Sequence, residues 1–373
     1  AYDASTTIQL GTTIDGAVQE YSGNVDVAMV NASGSADVLN IRLQDTDDSA
    51  QTNDLDAAGI ETLNIAVTTD AQSHTFDLAG VTPTTGSAGT INISGGVSTD
   101  GIVITTVDSG VTTINASSML GTVTLSDRGS SAMTITGGSA GDSLRMENTG
   151  DVMTGGLGTD TLVIAQNAVL GGFAVDLSSS TDQVTTYNGS ANAAVQVGFE
   201  NVNLSGITGS NGADITAQAG ATTTSVITGT PNVDNITLGT GTDNVRYVAL
   251  NLTAADTINN WTTGTDNIEL DSGLFTVGDY AEAATITAGA NADVTVATTA
   301  LANDAAIVTA IQTSTDTTDT LFVVANTADD EVQLWYDANP NVDGGEIQVG
   351  IIAGIAVSGV AAAFATGDFT FVA

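Results

Sequence analysis

Short apolar stretches alternate with Gly, Ser, Thr and Asp along most of this chain. Between Gly89 and Ile164 the stretches TINIS, IVIT, VTTIN, TVTLS, MTIT, SLRM, DVMT and TLVI recur with a spacing of about ten residues. Strands of four or five residues with Gly, Ser or Asp at each corner are typical of a parallel β-solenoid, in which each rung buries its side chains against its neighbours. Val, Ile and Thr suit such stacked strands. The pattern therefore predicts an all-β chain built on a parallel β-solenoid.

Residues 137–163 contain a finer repeat, because they read GGSAGDSLR, MENTGDVMT and GGLGTDTLV as three nine-residue units. Asp142, Asp151 and Asp160 recur at nine-residue spacing. The third unit fits the repeat G-G-x-G-x-D-x-U-x of calcium-binding β-rolls at every specified position, whereas the second unit lacks the glycine pair. If two units make one turn of a roll, Asp142 stacks on Asp160 and Asp151 lies on the opposite side.

The residue types in these units suit a hard cation. Glycines let a short turn adopt φ > 0 and point its carbonyl groups at an ion, while the aspartate adds an anionic oxygen. One Ca²⁺ takes about six to eight oxygen ligands, so a site has to be shared between successive turns. The alternative is an ordinary Gly/Asp-rich β-turn. The candidate calcium residues of this first segment are Gly137, Gly138, Gly141, Asp142, Asp151, Gly155, Gly156, Gly158 and Asp160.

A second calcium segment is predicted within residues 231–298. GTPNVDNIT and LGTGTDNVR again contain aspartates nine residues apart, although Pro231 and Leu238 depart from the glycine pattern. The stretch AADTINNWTTGTDNIEL follows and adds two acidic positions. For the last of these, Asp266, the alternative is a turn residue before the strand at 267–270. The candidate calcium residues here are Asp234, Gly239, Gly241, Asp243, Asp256 and Asp266.

These motifs resemble those of RTX proteins, which are secreted by type I systems, and more particularly the lattice-forming part of RTX-type S-layer proteins of Gram-negative bacteria. DTINNWTTGTDNIEL resembles the segment that closes many RTX rolls, with Trp261 where the family has Phe. The final DFTFV, residues 368–372, resembles the end of an uncleaved C-terminal secretion signal. The resemblance covers residues 34–373. It implies several bound Ca²⁺ ions, an extracellular location at the cell surface, and association with copies of the chain in a lattice or filament. Cell-surface polysaccharide is a further implied partner, through a part outside this chain.

Composition adds a strong negative charge to this picture. The chain has 43 Asp and Glu residues against four Arg and no Lys, which gives a net charge of −39. Such self-repulsion destabilises a compact fold unless cations neutralise it, so we expect calcium to be part of the fold. The same charge argues against nucleic acid and anionic membrane surfaces as partners. Cysteine is absent, so neither disulfides nor thiolate metal sites contribute.

We expect four regions along the chain: a β-rich N-terminal region at 1–88, a β-solenoid with the first calcium roll at 89–230, the second calcium segment at 231–298, and a C-terminal β-rich cap with the type I secretion signal at 299–373. GSADVLNIRLQ and GIETLNIAV recur later in the same order as GGLGTDTLVIAQ and GFENVNLSG, which indicates an internal repeat. Between the first two lies an acidic loop with Asp45, Asp47 and Asp48, either a further calcium site or a solvated loop.

The C-terminal region predicts one helix and a β-meander. Within 299–312, TALANDAAIVTAIQ places Leu301, Ala305, Val308 and Ile311 at helical spacing. The strands beyond it include Trp335 and Tyr336 as the largest packing residues. Asp337, Asn339, Asn341 and Asp343 have the odd-position spacing of a calcium loop, but Val342 stands at the sixth position where an EF-hand has Gly, which favours a plain turn. The uncharged stretch 350–366 is too short and too rich in Gly and Ala for a membrane span, and packed β-structure is favoured.

Catalytic motifs are weak in this sequence. His74 is the single histidine, which excludes an H-E-x-x-H zinc site. Residues 137–141 formally satisfy G-x-S-x-G, but they begin a nonapeptide instead of a strand-turn-helix, so a pair of Ser139 and His74 is a chance match. Glycoside hydrolysis by a pair of carboxylates stays an open alternative, because Asp and Glu are abundant along the chain.

The N-terminal AYDASTTIQL shows no Sec signal, and we expect a fragment or processed product.

From the motifs, the resemblance and the charge we expect a non-catalytic structural subunit of a calcium-dependent surface layer. The alternatives are an RTX adhesin or biofilm-matrix module, and the non-catalytic C-terminal part of a secreted RTX enzyme.

Overall fold

The structure is a computed structural model of the chain. It describes residues 7–10, 12–14, 17–19, 23–27, 34–43, 52–68, 72–127, 131–165, 171–248, 255–271, 280–283, 292–315, 317–340, 342, 344–355, 357, 364 and 366–372. The acidic loop at 45–48, Asn341, Asp343 and, within the stretch 350–366, residues 356, 358–363 and 365 lie outside the described residues. Of the residues that the structure describes, 50% lie in strands and 4% are helical, so this part of the chain is nearly all β, which confirms the predicted fold class.

The chain divides into two compact units. The first contains Ala1–Ala165, Ser180–Gln183 and Asn192–Asn201, and the second contains Gln166–Ser179, Val184–Ala191 and Val202–Ala373. The strands up to residue 165 are β1 Thr7–Leu10, β2 Thr12–Ile14, β3 Ala17–Gln19, β4 Gly23–Asp26, β5 Val38–Leu43, β6 Thr52–Ala58, β7 Thr62–Val67, β8 Ser73–Leu78, β9 Val81–Thr82, β10 Gly89–Gly95, β11 Gly101–Val107, β12 Val111–Met119, β13 Thr122–Leu125, β14 Thr134–Thr136, β15 Ser143–Met146, β16 Val152–Thr154 and β17 Thr161–Ile164.

The remaining elements follow in chain order. They are β18 Phe173–Asp176, β19 Val184–Tyr187, β20 Ser190–Ala191, β21 Gln196–Val197, β22 Asn201–Asn203, β23 Ala213–Thr216, β24 Thr224–Thr228, β25 Asn235–Thr237, β26 Thr242–Tyr247, β27 Asp256–Asn259, β28 Asn267–Asp271, β29 Tyr280–Ala283, β30 Val294–Ala297, α1 Asp304–Gln312, β31 Thr320–Asn326, β32 Glu331–Asp337, β33 Ile347–Ile352 and β34 Phe369–Val372.

The first unit is a parallel β-solenoid with two long sheets. One sheet has the order β1-β5-β7-β10-β12-β14-β16-β21, and the other runs through β4-β6-β8-β11-β13-β15-β17. β9 pairs with β6, and β2 forms a hairpin with β3. All eight strands predicted between Gly89 and Ile164 are present as β10 to β17, and successive strands alternate between the two sheets. The spacing of about ten residues between apolar stretches therefore corresponds to half a turn of the solenoid.

The core of this unit is built from columns of like residues. Leu63, Ile91, Ile114, Ile135 and Met153 occupy matching positions on β7, β10, β12, β14 and β16. Each of these side chains is at most 2% exposed. Burial of one such side chain stabilises the fold by roughly 1.5–3 kcal/mol. The alternating pattern fixes the register, because a slip of one residue would turn the whole column to solvent.

Beside this column, the same sheet has a row of hydrogen-bonded asparagines. Asn64 donates through Nδ2 to Oδ1 of Asn40 at 2.8 Å, and Asn92 donates to Oδ1 of Asn64 at 2.9 Å. Every amide in this row therefore donates toward the preceding rung. The second unit has an equivalent row, in which Asn259 donates to Asn235 at 2.9 Å.

The second unit also stacks parallel rungs. β22, β24, β26, β28 and β34 are parallel neighbours, and so are β18, β23, β25, β27 and β33. β33, β32 and β31 then form an antiparallel meander, with β30 and β29 added in parallel. The predicted β-meander is confirmed. The parallel stack of β23, β25, β27 and β33 has its own apolar column. The side chains of this column, Ile215, Ile236, Ile258 and Ile352, are buried.

The predicted helix is present but begins later than the apolar spacing indicated. α1 begins at Asp304 because Asn303 caps it, with its Oδ1 accepting the Ala306 N–H at 3.0 Å. Leu301 forms a β-bridge with Asn326 instead of a helical turn. The helix buries Ile307 and Ile311 against Trp335 and its neighbours. Among the described residues, no helix has the length and apolarity needed to cross a bilayer.

Candidate functional site

The aspartates of the first calcium segment lie at the corners that precede strands. Asp142 precedes β15 and Asp160 precedes β17, and these strands are paired in register eighteen residues apart, Ser143 with Thr161. Asp151 precedes β16, which belongs to the other sheet. The predicted stacking of Asp142 on Asp160 with Asp151 opposite is confirmed. All three are buried, with exposures of 2%, 0% and 0%.

These carboxylates turn inward and accept backbone hydrogen bonds. Asp142 accepts the Val123 N–H of the preceding rung at 2.7 Å on Oδ1 and the Gly138 N–H of its own corner on Oδ2. Asp160 accepts the Asp142 N–H on Oδ1 at 2.7 Å. An ionised carboxylate offers several acceptor positions and no donor, which suits the N–H groups left open where a strand begins. Each acid therefore ties its corner to the rung before it.

Asp151 has the same role on the other sheet. Its Oδ1 accepts the Met133 N–H at 3.0 Å, and its Oδ2 accepts the N–H groups of Glu147 and Asn148 at 3.0 and 2.8 Å. The middle nonapeptide lacks a glycine pair but still closes its corner, since the N–H groups of an ordinary turn reach the carboxylate.

Sequence reasoning missed Glu200, which continues the column of acids. Its Oε2 accepts the Asp160 N–H at 2.7 Å, and its own N–H donates to the Asp160 carbonyl at 3.0 Å. Glu61 repeats this contact, because its Oε2 accepts the Asp37 N–H at 2.9 Å and its N–H donates to the Asp37 carbonyl at 3.1 Å. The signal was available, since Glu200 and Glu61 hold the same place in GFENVNL and GIETLNI. The internal repeat is therefore confirmed at the level of individual hydrogen bonds.

Asp160 differs from Asp142 because one of its oxygens is unsatisfied. Its Oδ2 is buried and has no hydrogen-bond partner. Burial raises the pKa of Asp160 to about 7; the hydrogen bond from Asp142 opposes this, and the charges of Asp142 and Glu200 add to it. The pKa of Asp142 is raised by burial as well, with hydrogen bonds from Gly138 and Val123 opposing the shift. Near neutral pH the Asp160 corner therefore favours either a proton or a cation.

The glycine pair leaves room for oxygen atoms at this corner. A methyl group on Gly155 would lie 1.9 Å from the carbonyl oxygen of Gly198 and 2.6 Å from Oδ2 of Asp160. One turn earlier, a methyl on Gly137 would lie 1.9 Å from the Gly155 carbonyl oxygen. Gly156, with φ at +123°, adopts a conformation that residues with a side chain rarely reach.

Three other glycines of the predicted set serve the same close approach. Gly158 has φ at +119°, and a methyl on Gly141 would lie 2.6 Å from the Thr159 carbonyl oxygen. A methyl on Gly138 would lie 2.7 Å from the Met119 carbonyl oxygen. Consecutive corners thus pack backbone against backbone, with carbonyl oxygens at the contact.

The residues at the Asp160 corner fit a calcium ion in their chemistry. A carboxylate oxygen without a partner and the Gly198 carbonyl oxygen converge beside Gly155, and hard oxygen donors of this kind are what Ca²⁺ binds. Within the described part of the chain, no three His, Cys, Asp or Glu side chains gather closely enough to hold a metal ion. A cation at this corner would therefore take Asp160 with backbone carbonyl groups as ligands.

The second segment uses longer rungs with the same corner chemistry. Asp234 accepts the Ala213 N–H on Oδ1 at 2.7 Å, and Asp256 accepts the Asp234 N–H on Oδ1 at 2.9 Å. On the other sheet, Asp266 accepts the Asp243 N–H at 3.1 Å. The structure therefore brings together Asp234 with Asp256, and Asp243 with Asp266. All four are buried, with exposures between 0% and 3%.

Burial raises the pKa of every aspartate in this second set. The pKa of Asp234 rises to about 6 and that of Asp266 to about 6, each mainly by burial with backbone hydrogen bonds in opposition. The pKa of Asp256 rises to about 8, by burial and then by the charge of Asp234. Burial also raises the pKa of Asp243.

Gly239, Gly241 and Asp368 complete these corners. The Gly239 N–H donates to Oδ2 of Asp243 at 2.7 Å, and a methyl on Gly241 would lie 2.2 Å from the Thr223 carbonyl oxygen. Asp368, which sequence reasoning assigned only to the terminal DFTFV run, accepts the Gly264 N–H at 3.0 Å. Its place directly before β34, like that of Asp266 before β28, was the available signal.

His74 and Ser139, the formal catalytic pair of the sequence, lie in different settings. His74 is 1% exposed within β8, and Ser139 is exposed at the corner between β14 and β15. No protein-family model matches this sequence, and no curated protein sequence is significantly similar to it.

Proposed function

We propose that this chain is a non-catalytic structural subunit of a calcium-dependent extracellular surface array, as its likeness to RTX-type S-layer proteins implied. The observation that carries the proposal is the column of stacked acids, in which Asp142 and Asp160 are buried and Glu200 is half-buried. An ionised carboxylate oxygen buried without a partner costs several kcal/mol. Bound Ca²⁺ at the Asp160 corner would remove that cost.

The charge of the chain supports the same conclusion. Arg145 and Arg246 are engaged in ion pairs with Glu147 and Glu269, both at 2.6 Å, so they do not serve the aspartate corners. A net charge of −39 opposes contact between copies of the chain. Ca²⁺ cancels local charge and can bridge carboxylates of neighbouring molecules, so one ion supports both folding and assembly.

The experiment is a Ca²⁺ series on chelator-treated protein. Circular dichroism should show a gain of β-signal, and light scattering with negative-stain microscopy should show ordered sheets or filaments above a threshold of Ca²⁺. Mg²⁺ should act poorly, because it holds its waters and demands a tighter octahedron.

Two results would contradict the proposal. A spectrum that Ca²⁺ leaves unchanged would remove calcium from the fold. A folded protein that stays monomeric in millimolar Ca²⁺ would favour an adhesin or a non-catalytic module of a secreted enzyme. The matched variants are Asp160→Ala, which should weaken calcium binding strongly, and Asp47→Ala in the acidic loop, which should weaken it less.

A further inference from the structure

The C-terminal meander contains an acidic loop that the nonapeptide repeats do not include. β32 ends at Asp337 and β33 begins at Ile347, so the chain between them returns to the same end of the sheet. Asp337 is paired with Thr320 on β31 and is 1% exposed. A carboxylate at the end of a sheet strand is usually solvated, and this one is not.

Asp337 has one oxygen bound and one oxygen without a partner. Its Oδ1 accepts the Asn339 N–H at 2.9 Å. Its Oδ2 is buried and has no hydrogen-bond partner. An ionised carboxylate at this position needs a hydrogen-bond donor or a cation beside its second oxygen, because isolated buried carboxylates are strongly disfavoured.

Glu346, directly before β33, likewise has one hydrogen-bonded oxygen and one buried oxygen without a partner. Its Oε1 accepts the Gln312 Nε2 group at the end of α1 at 2.8 Å, while its Oε2 is buried without a partner. Burial raises the pKa of Asp337; the hydrogen bond from Asn339 opposes the shift and the charge of Glu346 adds to it. The two carboxylates are therefore close enough to repel, and each keeps one oxygen free of hydrogen bonds.

Two glycines shape the chain just before Glu346. Gly344 has φ at +88° and Gly345 has φ at +119°, conformations that residues with a side chain rarely adopt. Asp337 and Glu346 follow and precede the paired residues Tyr336 and Ile347, so the two carboxylates lie at facing strand ends.

We propose that Asp337 and Glu346, where β32 ends and β33 begins, are the carboxylate ligands of a Ca²⁺ site to which Asn339 supplies a neutral oxygen. Ca²⁺ suits this set because it accepts mixed carboxylate and amide oxygens in flexible geometry. Through the hydrogen bond from Gln312 to Glu346, the ion would fasten the meander to α1. This site is independent of the nonapeptide corners.

The test is calorimetric titration of the full chain with Ca²⁺ after chelator treatment. Asp337→Asn and Glu346→Gln should each lose one bound ion or weaken one site by about tenfold or more, because each removes an anionic ligand. Asp330→Asn is the matched control, since Asp330 is exposed in the β31–β32 turn at the other end of β32, and it should bind as the unaltered protein does. Tb³⁺ emission sensitised by the adjacent Tyr336 should fall in the two ligand variants alone.

The same titration in an Asp160→Asn background separates this site from the nonapeptide corners. Loss at Asp337 should persist there, whether or not the corners bind calcium. If both carboxylate variants keep their β-signal, their ion count and their affinities, the buried oxygens are held by protons or water and the proposal is overturned. Should Asp337→Asn fail to fold, the exposed Asn339→Ala decides the question, because unchanged binding in that variant also overturns the site.

Discussion

Two corners of the first unit have the same hydrogen bonds, but the pKa of Glu61 at one corner is lowered while that of Asp160 at the other is raised. At the corner of Asp37 and Glu61, as at that of Asp160 and Glu200, the glutamate accepts the aspartate N–H and returns its own N–H to the aspartate carbonyl. Burial opposes the ionisation of Glu61, yet hydrogen bonds from Thr84 and Asp37 outweigh it and lower its pKa. The pKa of Asp160 rises to about 7.

The difference comes from the number of carboxylate oxygens that accept N–H groups. Both oxygens of Glu61 are used, because Oε1 accepts the Thr84 N–H at 2.9 Å. Asp160 lies one rung above the carboxylate of Asp142 and keeps Oδ2 without a partner. An acid whose two oxygens both accept N–H groups is satisfied in its ionised form, whereas an acid that keeps one oxygen without a partner favours a proton or a cation. The comparison therefore separates Glu61 from Asp160 by the state of their oxygens, and Asp37, the counterpart of Asp160 in the internal repeat, also keeps a buried Oδ2 without a partner.

The largest effect is expected from adding a methyl group at the tighter corner. Gly155→Ala should destabilise the protein by about 3 kcal/mol, because the new atom meets the backbone carbonyl of Gly198, which cannot move aside. Gly34→Ala is the control at the other corner, where the nearest atom is the rotatable Asp37 carboxylate at 2.8 Å, and it should cost less than about 1 kcal/mol. Urea unfolding in calcium measures both, and equal losses would mean that the two corners are equally tight.

The next effect is a pH dependence of opposite sign at the two corners. In chelator, the raised pKa of Asp160 contributes stability that is present below pH 4 and is lost as pH rises to about 7, with a slope of at most about 1.4 kcal/mol per pH unit. Asp160→Asn should reduce the total slope by this contribution, while the other buried aspartates with raised pKa values keep theirs. The pKa of Glu61 is lowered from its ordinary value of 4.5. Ionised Glu61 therefore stabilises the fold above pH 4.5, and this contribution is lost as the pH falls through the lowered pKa.

Urea unfolding between pH 4 and pH 8 checks this prediction. Glu61→Gln should lose stability at neutral pH and leave the slope between pH 4 and pH 7 in place. A slope that Asp160→Asn leaves unchanged would show that Asp160 does not contribute and that other buried aspartates, such as Asp256, set the whole pH dependence.

The smallest effect is expected at Glu200. Glu200→Gln keeps an acceptor for the Asp160 N–H but removes a negative charge, which is the weakest of the causes that raise the pKa of Asp160. The midpoint of the pH profile should move to lower pH by less than about one unit, while Glu61→Gln leaves it unmoved. A shift of more than about two units would make Glu200, and not burial, the main cause.

Periodicity predicted what depends on local spacing. The eight strands β10 to β17 and the stacking of Asp142 on Asp160 follow from nonapeptides that are contiguous in the chain, so sequence distance and rung height agree. Glu200 lies 40 residues from Asp160 yet follows it in the column, so its pairing could be predicted only from the internal repeat that places Glu61 against Asp37, and not from nonapeptide spacing. The start of α1 was misplaced because Leu301 fits a helical stripe but is used in a bridge to Asn326.

The asparagine row of the first unit makes that stack directional. Since Asn92 donates to Asn64 and Asn64 to Asn40, all amide dipoles point one way, and the strands beside them are parallel. The row itself lies inside the sheet, since Asn40 is paired with Thr7 of β1 and Asn92 with Asn115 of β12. The polarity that reaches the ends of the sheet is that of the parallel strands, whose first and last members leave different edges unpaired. A contact that adds the rungs of one molecule to those of another in the same parallel sense has to be head to tail, and a head-to-tail contact repeats without closing unless rotation forms a ring.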